Sequence, residues 1–210
     1  MSSAPPENLP DLLASMKRAA AALRDREIEF MLGGGLAVWA RGGPPTDHDV
    51  DLYLRPRDAE PALSALVEAG MREERPPEDW LLKAWDGAQL VDLIFRPAGG
   101  SIDDDHFDRA TTLEVSAQKL RVAAAEDVLL MKLLALNEQE PDYRAVLEIA
   151  RALREQIDWP ALEERSRESP FARGFFTIGE GLGIVRANGS HPPVGISVPR
   201  RPGRRARPPV

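Results

Sequence analysis

Ile28-Glu29-Phe30-Met31-Leu32-Gly33-Gly34-Gly35 leads, through a short helix over residues 36–41 and the loop Gly42-Gly43-Pro44-Pro45-Thr46, to Asp49-Val50-Asp51-Leu52-Tyr53-Leu54. The first stretch reads as a short strand entering a glycine turn, and the last as an alternating strand closed by Pro56. Alternate residues of a strand share a face. Asp49 and Asp51 therefore stand side by side, about 7 Å apart along the backbone, while Val50, Leu52 and Leu54 face a core. Two carboxylates aimed the same way beside an apolar layer repel each other unless a cation lies between them. The competing reading places the pair on a solvated sheet edge. Gly34 and Gly35 end a strand and open a helix. Such a turn lets backbone N–H groups approach an anion with no Cβ in the way, at a helix terminus that favours phosphate.

Outward from this stretch, the apolar positions Leu12, Leu13, Met16, Ala19, Ala20 and Leu23 recur at helical spacing, which predicts an amphipathic helix from Asp11 to about Arg26. Residues 57–69 form a helix with Ala62, Leu63, Leu66 and Val67 inward, ended by Gly70. Residues 80–85 and 88–95 are strands joined by the hairpin signal Asp86-Gly87. The order helix, strand, helix, strand, helix, strand, strand makes an α/β (α+β) sandwich around a small mixed sheet.

Past an extended piece over residues 113–122, a helix opens with Glu126 and Asp127 in its first turn, where carboxylates suit the helix dipole. Residues 128–136 are apolar on nearly every side, the mark of a buried helix. Pro141 opens another helix, with Tyr143, Val146, Leu147, Ala150 and Leu153 in one stripe. Asp158-Trp159-Pro160 caps the next, and residues 171–178 form one more. The expected organisation is a disordered start over residues 1–9, a core over 10–110, a helical part over 111–182 packed on it, and a disordered Pro- and Arg-rich tail over 183–210.

Composition narrows the class. An apolar fraction of 43% and a charged fraction of 29% are those of a globular protein. With no cysteine, the chain has neither disulfides nor thiolate-bound metal nor a cysteine nucleophile. No apolar run approaches the roughly 20 residues needed to cross a bilayer. The opening MSSAPPENLPD has no basic start or apolar stretch, so no signal peptide and a cytoplasmic location are expected. Six of the 27 basic residues and none of the 34 acids lie from Arg186 onward, so the preceding chain carries −13. An acidic body is unlike a non-specific nucleic-acid binder, which needs a basic surface.

Two more residues fit the chemistry of the Asp49–Asp51 pair. Asp92 interrupts the apolar run Leu90-Val91-Asp92-Leu93-Ile94-Phe95, where an ionised carboxylate is costly without a partner or a metal. An edge strand with Asp92 in water is its alternative. Lys132 is the only charge inside the long apolar helix, placed either to meet phosphates or a buried carboxylate such as Asp92, or to snorkel into solvent. His48 reads as an exposed loop histidine, and Asp103-Asp104-Asp105 as a solvated or helix-capping run.

Gly34-Gly35, thirteen residues, then Asp49-Val50-Asp51-Leu52 resembles the signature of the polymerase-beta-like nucleotidyltransferase superfamily, whose third carboxylate on a later strand falls at Asp92. Arg121-Val122-Ala123-Ala124-Ala125-Glu126-Asp127 with Lys132, then Asp142, is similar to a helix and later Asp of the abortive-infection nucleotidyltransferase toxins. Related minimal bacterial antitoxin and antibiotic-modifying members share the core. The resemblance spans about residues 28–155. Gly35 stands where serine is commoner in the family. The resemblance implies the nucleotidyltransferase fold with a C-terminal helical region, and Asp49, Asp51 and Asp92 as catalytic and metal-binding residues. All-oxygen ligands suit Mg²⁺, two ions being expected, with an NTP as donor. Gly34, Gly35 and Lys132 would contact its phosphates. The acceptor hydroxyl would belong to a protein, a tRNA or a small molecule such as an aminoglycoside, and a toxin–antitoxin partner protein fits the same resemblance. An inactive binding module, antitoxin or nucleotide sensor, is the alternative of a different class.

Overall fold

The computed structural model describes residues 6–139 and 141–185. Residues 1–5 of the expected disordered start, and the expected tail from Arg186 onward, lie outside them. Helix α1 (Leu9–Asp25) forms because Leu9, Leu12, Met16, Ala19, Ala20 and Leu23 fall on one face, and all six are buried. Its start is fixed by more than the helix: Asn8 Nδ2 donates to the Asp47 carbonyl at 2.7 Å. The chain then runs through β1 (Met31–Leu32), α2 (Gly34–Ala40), β2 (Val50–Tyr53), a 3-10 turn at Pro56–Asp58, α3 (Ala59–Glu68) and β3 (Arg72–Glu74). Next come β4 (Leu81–Asp86), β5 (Gln89–Ile94), α4 (Asp104–Arg109), β6 (Thr111–Val115) and β7 (Gln118–Val122). Four helices close the described chain: α5 (Ala125–Ala135), α6 (Tyr143–Leu153), α7 (Trp159–Ser166) and α8 (Pro170–Gly181). None of the described helices is long and apolar enough to cross a membrane.

The seven strands make one mixed sheet in the order β3-β4-β5-β2-β1-β7-β6. The pairs β2–β5 and β1–β7 are parallel and the rest antiparallel. Helices α1 and α3 pack on β2, β4 and β5, and beneath them Val50, Leu52, Leu54, Ala84, Val91 and Leu93 have no exposed surface. Helix α5 packs against α2, α6, α7 and α8, so the all-round apolar helix is the hub of the C-terminal helices. Strands β6 and β7, beyond the division expected at residues 110–111, belong to the same sheet, because Leu32 of β1 pairs with Val122 of β7.

Several local expectations shift. The first strand contracts to Met31–Leu32. Val67 turns outward, 40% exposed, instead of inward. In the β4–β5 hairpin Asp86 pairs with Gln89, so the turn residues are Gly87 and Ala88, one position later than expected. Gly87 takes φ +63, the left-handed conformation such turns require. Strand β3, Arg72-Glu73-Glu74, has no apolar pattern, as is usual for a charged edge. The run Asp103-Asp104-Asp105 caps α4: the Asp103 side chain accepts from the His106 N–H. Ile184 and Val185, inside the expected tail, are buried, and both amides donate to the Gly179 carbonyl.

One buried charge joins the sheet-side and C-terminal helices. Asp127 of α5, 1% exposed, accepts two bonds from Arg109 of α4 (2.9 and 3.2 Å) and pairs with Arg165 of α7 at 2.7 Å. Sequence spacing alone suggested only a favourable helix dipole for this residue. Asp127→Ala should lower stability by about 3 kcal/mol, since two arginines lose a buried counter-charge. The cost stays at the low end of the usual range because both arginine side chains are about one-third exposed and can rehydrate. A urea midpoint equal to wild type would show that this triad contributes nothing.

Candidate active site

Asp49 lies one residue before β2 and Asp51 within it. The parallel pairing of β2 with β5 puts Asp51 directly beside Asp92. One carboxylate oxygen from each of Asp49, Asp51 and Asp92 can be chosen so that all lie within 4.8 Å of one another. Asp92 is 6% exposed in a central strand, so neither the solvated-edge reading of the pair nor an edge position for Asp92 describes this arrangement.

The glycine turn closes on the same spot. The Gly33 N–H donates to the Asp51 carbonyl at 2.8 Å, and the Gly34 N–H to the Tyr53 hydroxyl at 3.1 Å. The Gly35 N–H favours the ionised form of the Asp51 carboxylate. Gly34 has φ +48, and a Cβ there would lie 1.5 Å from Asp51 Oδ2. Glycine is required at this position on both counts. Tyr53 extends the carboxylate face of β2 by one more alternation. It is buried, and burial raises its hydroxyl above the ordinary tyrosine range.

Electrostatically the cluster lacks positive charge. Burial first, then Asp49 and Asp92, push Asp51 up to about 8, against the opposing pull of Lys132 and the Gly35 N–H. Asp92 is pushed up to about 6, chiefly by burial; Lys83 opposes the shift and Asp49 adds to it. The Nζ of Lys83, on β4, lies 3.3 Å from Asp92 Oδ1. The cation beside Asp92 is thus Lys83 and not Lys132. Asp92 Oδ1 is buried and makes no hydrogen bond. Three converging oxygen donors, one with a buried oxygen met only by the Lys83 ammonium, fit a hard divalent cation better than they fit solvent.

Beside the cluster a cavity of about 590 Å³ is lined by Gly34, Asp51, Tyr53, Trp80, Met131 and Lys132 among others. Lys132 therefore faces the site rather than the outer surface. His48 lies at the exposed surface beside Asp47. Sequence reasoning missed Lys83 and Tyr53. Tyr53 was within reach, because it continues the alternation of Asp49 and Asp51.

Sheet order, the glycine turn and the carboxylate cluster together define a nucleotidyltransferase fold, and solved structures agree. The chain is similar to the crystal structure of ANT(2")-Ia in complex with adenylyl-2"-tobramycin, with TM-score 0.59 and 16% identity over 77% of this chain and 97% of that one. A solution structure of the antibiotic-resistance factor ANT(2'')-Ia gives TM-score 0.55 and 15% identity over 80% and 94% of the two chains. At such identities the likeness is one of fold. Residues 10–179 match the family described as uncharacterised nucleotidyltransferase, so the chain belongs to that family and is a nucleotidyltransferase. No curated protein matches it in sequence.

Proposed function

We propose that this enzyme transfers a nucleoside monophosphate from Mg²⁺·NTP to the hydroxyl of a small acceptor molecule, with Asp49, Asp51 and Asp92 as its catalytic and metal-holding residues. The observation that carries the reading is the convergence of these three carboxylates beside the Gly34 turn, with one buried oxygen left without a hydrogen bond. A divalent cation bound there supplies Lewis acidity toward phosphate and a lowered pKa for the attacking hydroxyl. Asp49 and Asp51 hold the donor side. Gly34 and Gly35, without Cβ atoms, leave room for the triphosphate, and Lys132 faces it across the cavity. Trp80, 38% exposed, offers its ring to the base in the same cavity. Asp92, one strand farther from the glycine turn, orients the acceptor hydroxyl for in-line attack on the α-phosphorus, opposite the departing pyrophosphate.

Two observations support a small cationic acceptor over tRNA. The chain before Arg186 carries −13, which repels a polyanion. The structurally similar ANT(2")-Ia was captured with an adenylylated tobramycin. The test is pyrophosphate release from ATP and Mg²⁺ across a panel of polyamine glycosides, other amino-alcohols, tRNA and lysate protein. Release with a cationic amino-alcohol is the expected result, and release only with tRNA would overturn the acceptor class. Nucleotide binding with no release from any member of the panel would favour an inactive binding module.

A further inference from the structure

Residues paired directly across a sheet share a face, so Glu74, Lys83, Asp92 and Asp51 form one row over β3, β4, β5 and β2. The row alternates in charge: acid, base, acid, acid. Lys83 stands between two carboxylates. On one side is Asp92, whose side chain is 9% exposed and whose Oδ1 lies 3.3 Å from the ammonium without forming a hydrogen bond. On the other is Glu74, whose Oε2 accepts from Trp85 Nε1 at 2.6 Å and is thereby held in place. Asp92 thus faces an ammonium where it would otherwise be free to take a metal ion. Asp49 and Asp51 have no such neighbour among the recorded ion pairs of the described residues.

Charge counting favours ordered loading. Four carboxylates, Glu74 included, balance Lys83, Lys132 and one divalent ion, whereas a second ion would bring a net +2 with no anion present to balance it. The negative charge needed for the second ion comes with the triphosphate. We propose that Lys83 is a gate on the second metal position. In the nucleotide-free protein it occupies Asp92, so that only the Asp49–Asp51 position takes a divalent cation. Arrival of the metal-bound nucleotide moves the ammonium from Asp92 to Glu74, and Asp92 becomes available. This inference rests on the metal site proposed above and adds to it an order and a residue.

The experiment is a calorimetric and spin-resonance titration of the full chain with Mn²⁺ alone. Wild type should bind one ion per chain and Lys83→Met two, the second at least about tenfold tighter than any second event in wild type, because a competing unit charge is removed. Two ions in nucleotide-free wild type, or one in both proteins, would overturn the gate and leave the metal site standing. No ion in either protein would remove metal site and gate together. Glu74→Gln decides the question should Lys83→Met lose its fold. With ATP present this variant, lacking the second resting place, should need about tenfold more Mn²⁺ to fill both positions, and an unchanged requirement would overturn the gate.

Discussion

Asp49→Asn combined with Asp51→Asn should abolish Mg²⁺-dependent ATP binding while leaving the protein at least as stable as wild type at pH 8. The two carboxylates and Asp92 crowd within 4.8 Å, and burial already pushes Asp51 up to about 8. In the unfolded chain an aspartate titrates near 3.9. Between about pH 4 and 8 the folded protein therefore holds more protons on Asp51 than the unfolded chain does. The stability contributed by this group is complete below the unfolded value and is lost as the pH rises through the folded one. Cation-free wild type should accordingly weaken from pH 5 to pH 8, and the double variant should lack the part of that slope due to Asp51. Mg²⁺ should restore wild type at pH 8 and release protons on binding, with no such response in the variant. Calorimetry with ATP and Mg²⁺ reads the binding, and urea midpoints at the two pH values in chelator read the linkage. Equal ATP affinity in the two proteins would dismiss the metal-site assignment.

What made this site legible in sequence is local. Period-two alternation is short-range, so Asp49 and Asp51 announce themselves against Val50, Leu52 and Leu54, and the structure leaves those three with no exposed surface. Asp92 is legible for the same reason, as a lone charge in an apolar run. The partners of these residues are not local. Asp51 meets Asp92 through a parallel pairing of strands some forty residues apart, which no window of sequence contains. Lys83 was lost to a single residue of register. A turn at Asp86-Gly87 would set Asp92 opposite Leu81, whereas the observed turn at Gly87-Ala88 sets it opposite Lys83. One residue at the turn displaces the cross-strand partner by two. Asp127 was underread because its arginines come from positions 109 and 165, on two other helices. Strand β3 escaped because a charged edge strand has no apolar face to detect.

Asp92→Asn separates a chemical role for this carboxylate from a structural one, and the expected result is a stable, nearly inactive enzyme. Asp92 sits on the side of the cluster away from the glycine turn, so under the proposed function it would hold the cation that stabilises the acceptor oxygen as that oxygen loses its proton. An interaction made only in the transition state lowers turnover when it is removed, on the order of 10³-fold, and leaves ATP affinity little changed. Stability should move the other way. Burial raises the folded value of Asp92 to about 6, so at pH 8 wild type bears an ionised carboxylate in a site that disfavours it. Near pH 4 the protonated acid and the amide are nearly equivalent. The variant should therefore match wild type at pH 4 and equal or exceed it at pH 8. Lys83, orphaned by the substitution, has Glu74 as its cross-strand neighbour and a side chain 22% exposed to water. If Asp92 instead served mainly as the buried counter-ion of Lys83, its loss would cost about 3–5 kcal/mol and appear first as a lowered urea midpoint at pH 8. Single-turnover rates and urea midpoints at both pH values, taken on the same two proteins, distinguish the outcomes. Near wild-type turnover in a stable variant would remove Asp92 from the chemistry, and a loss of stability confined to pH 8 would assign it to the fold as the counter-ion of Lys83.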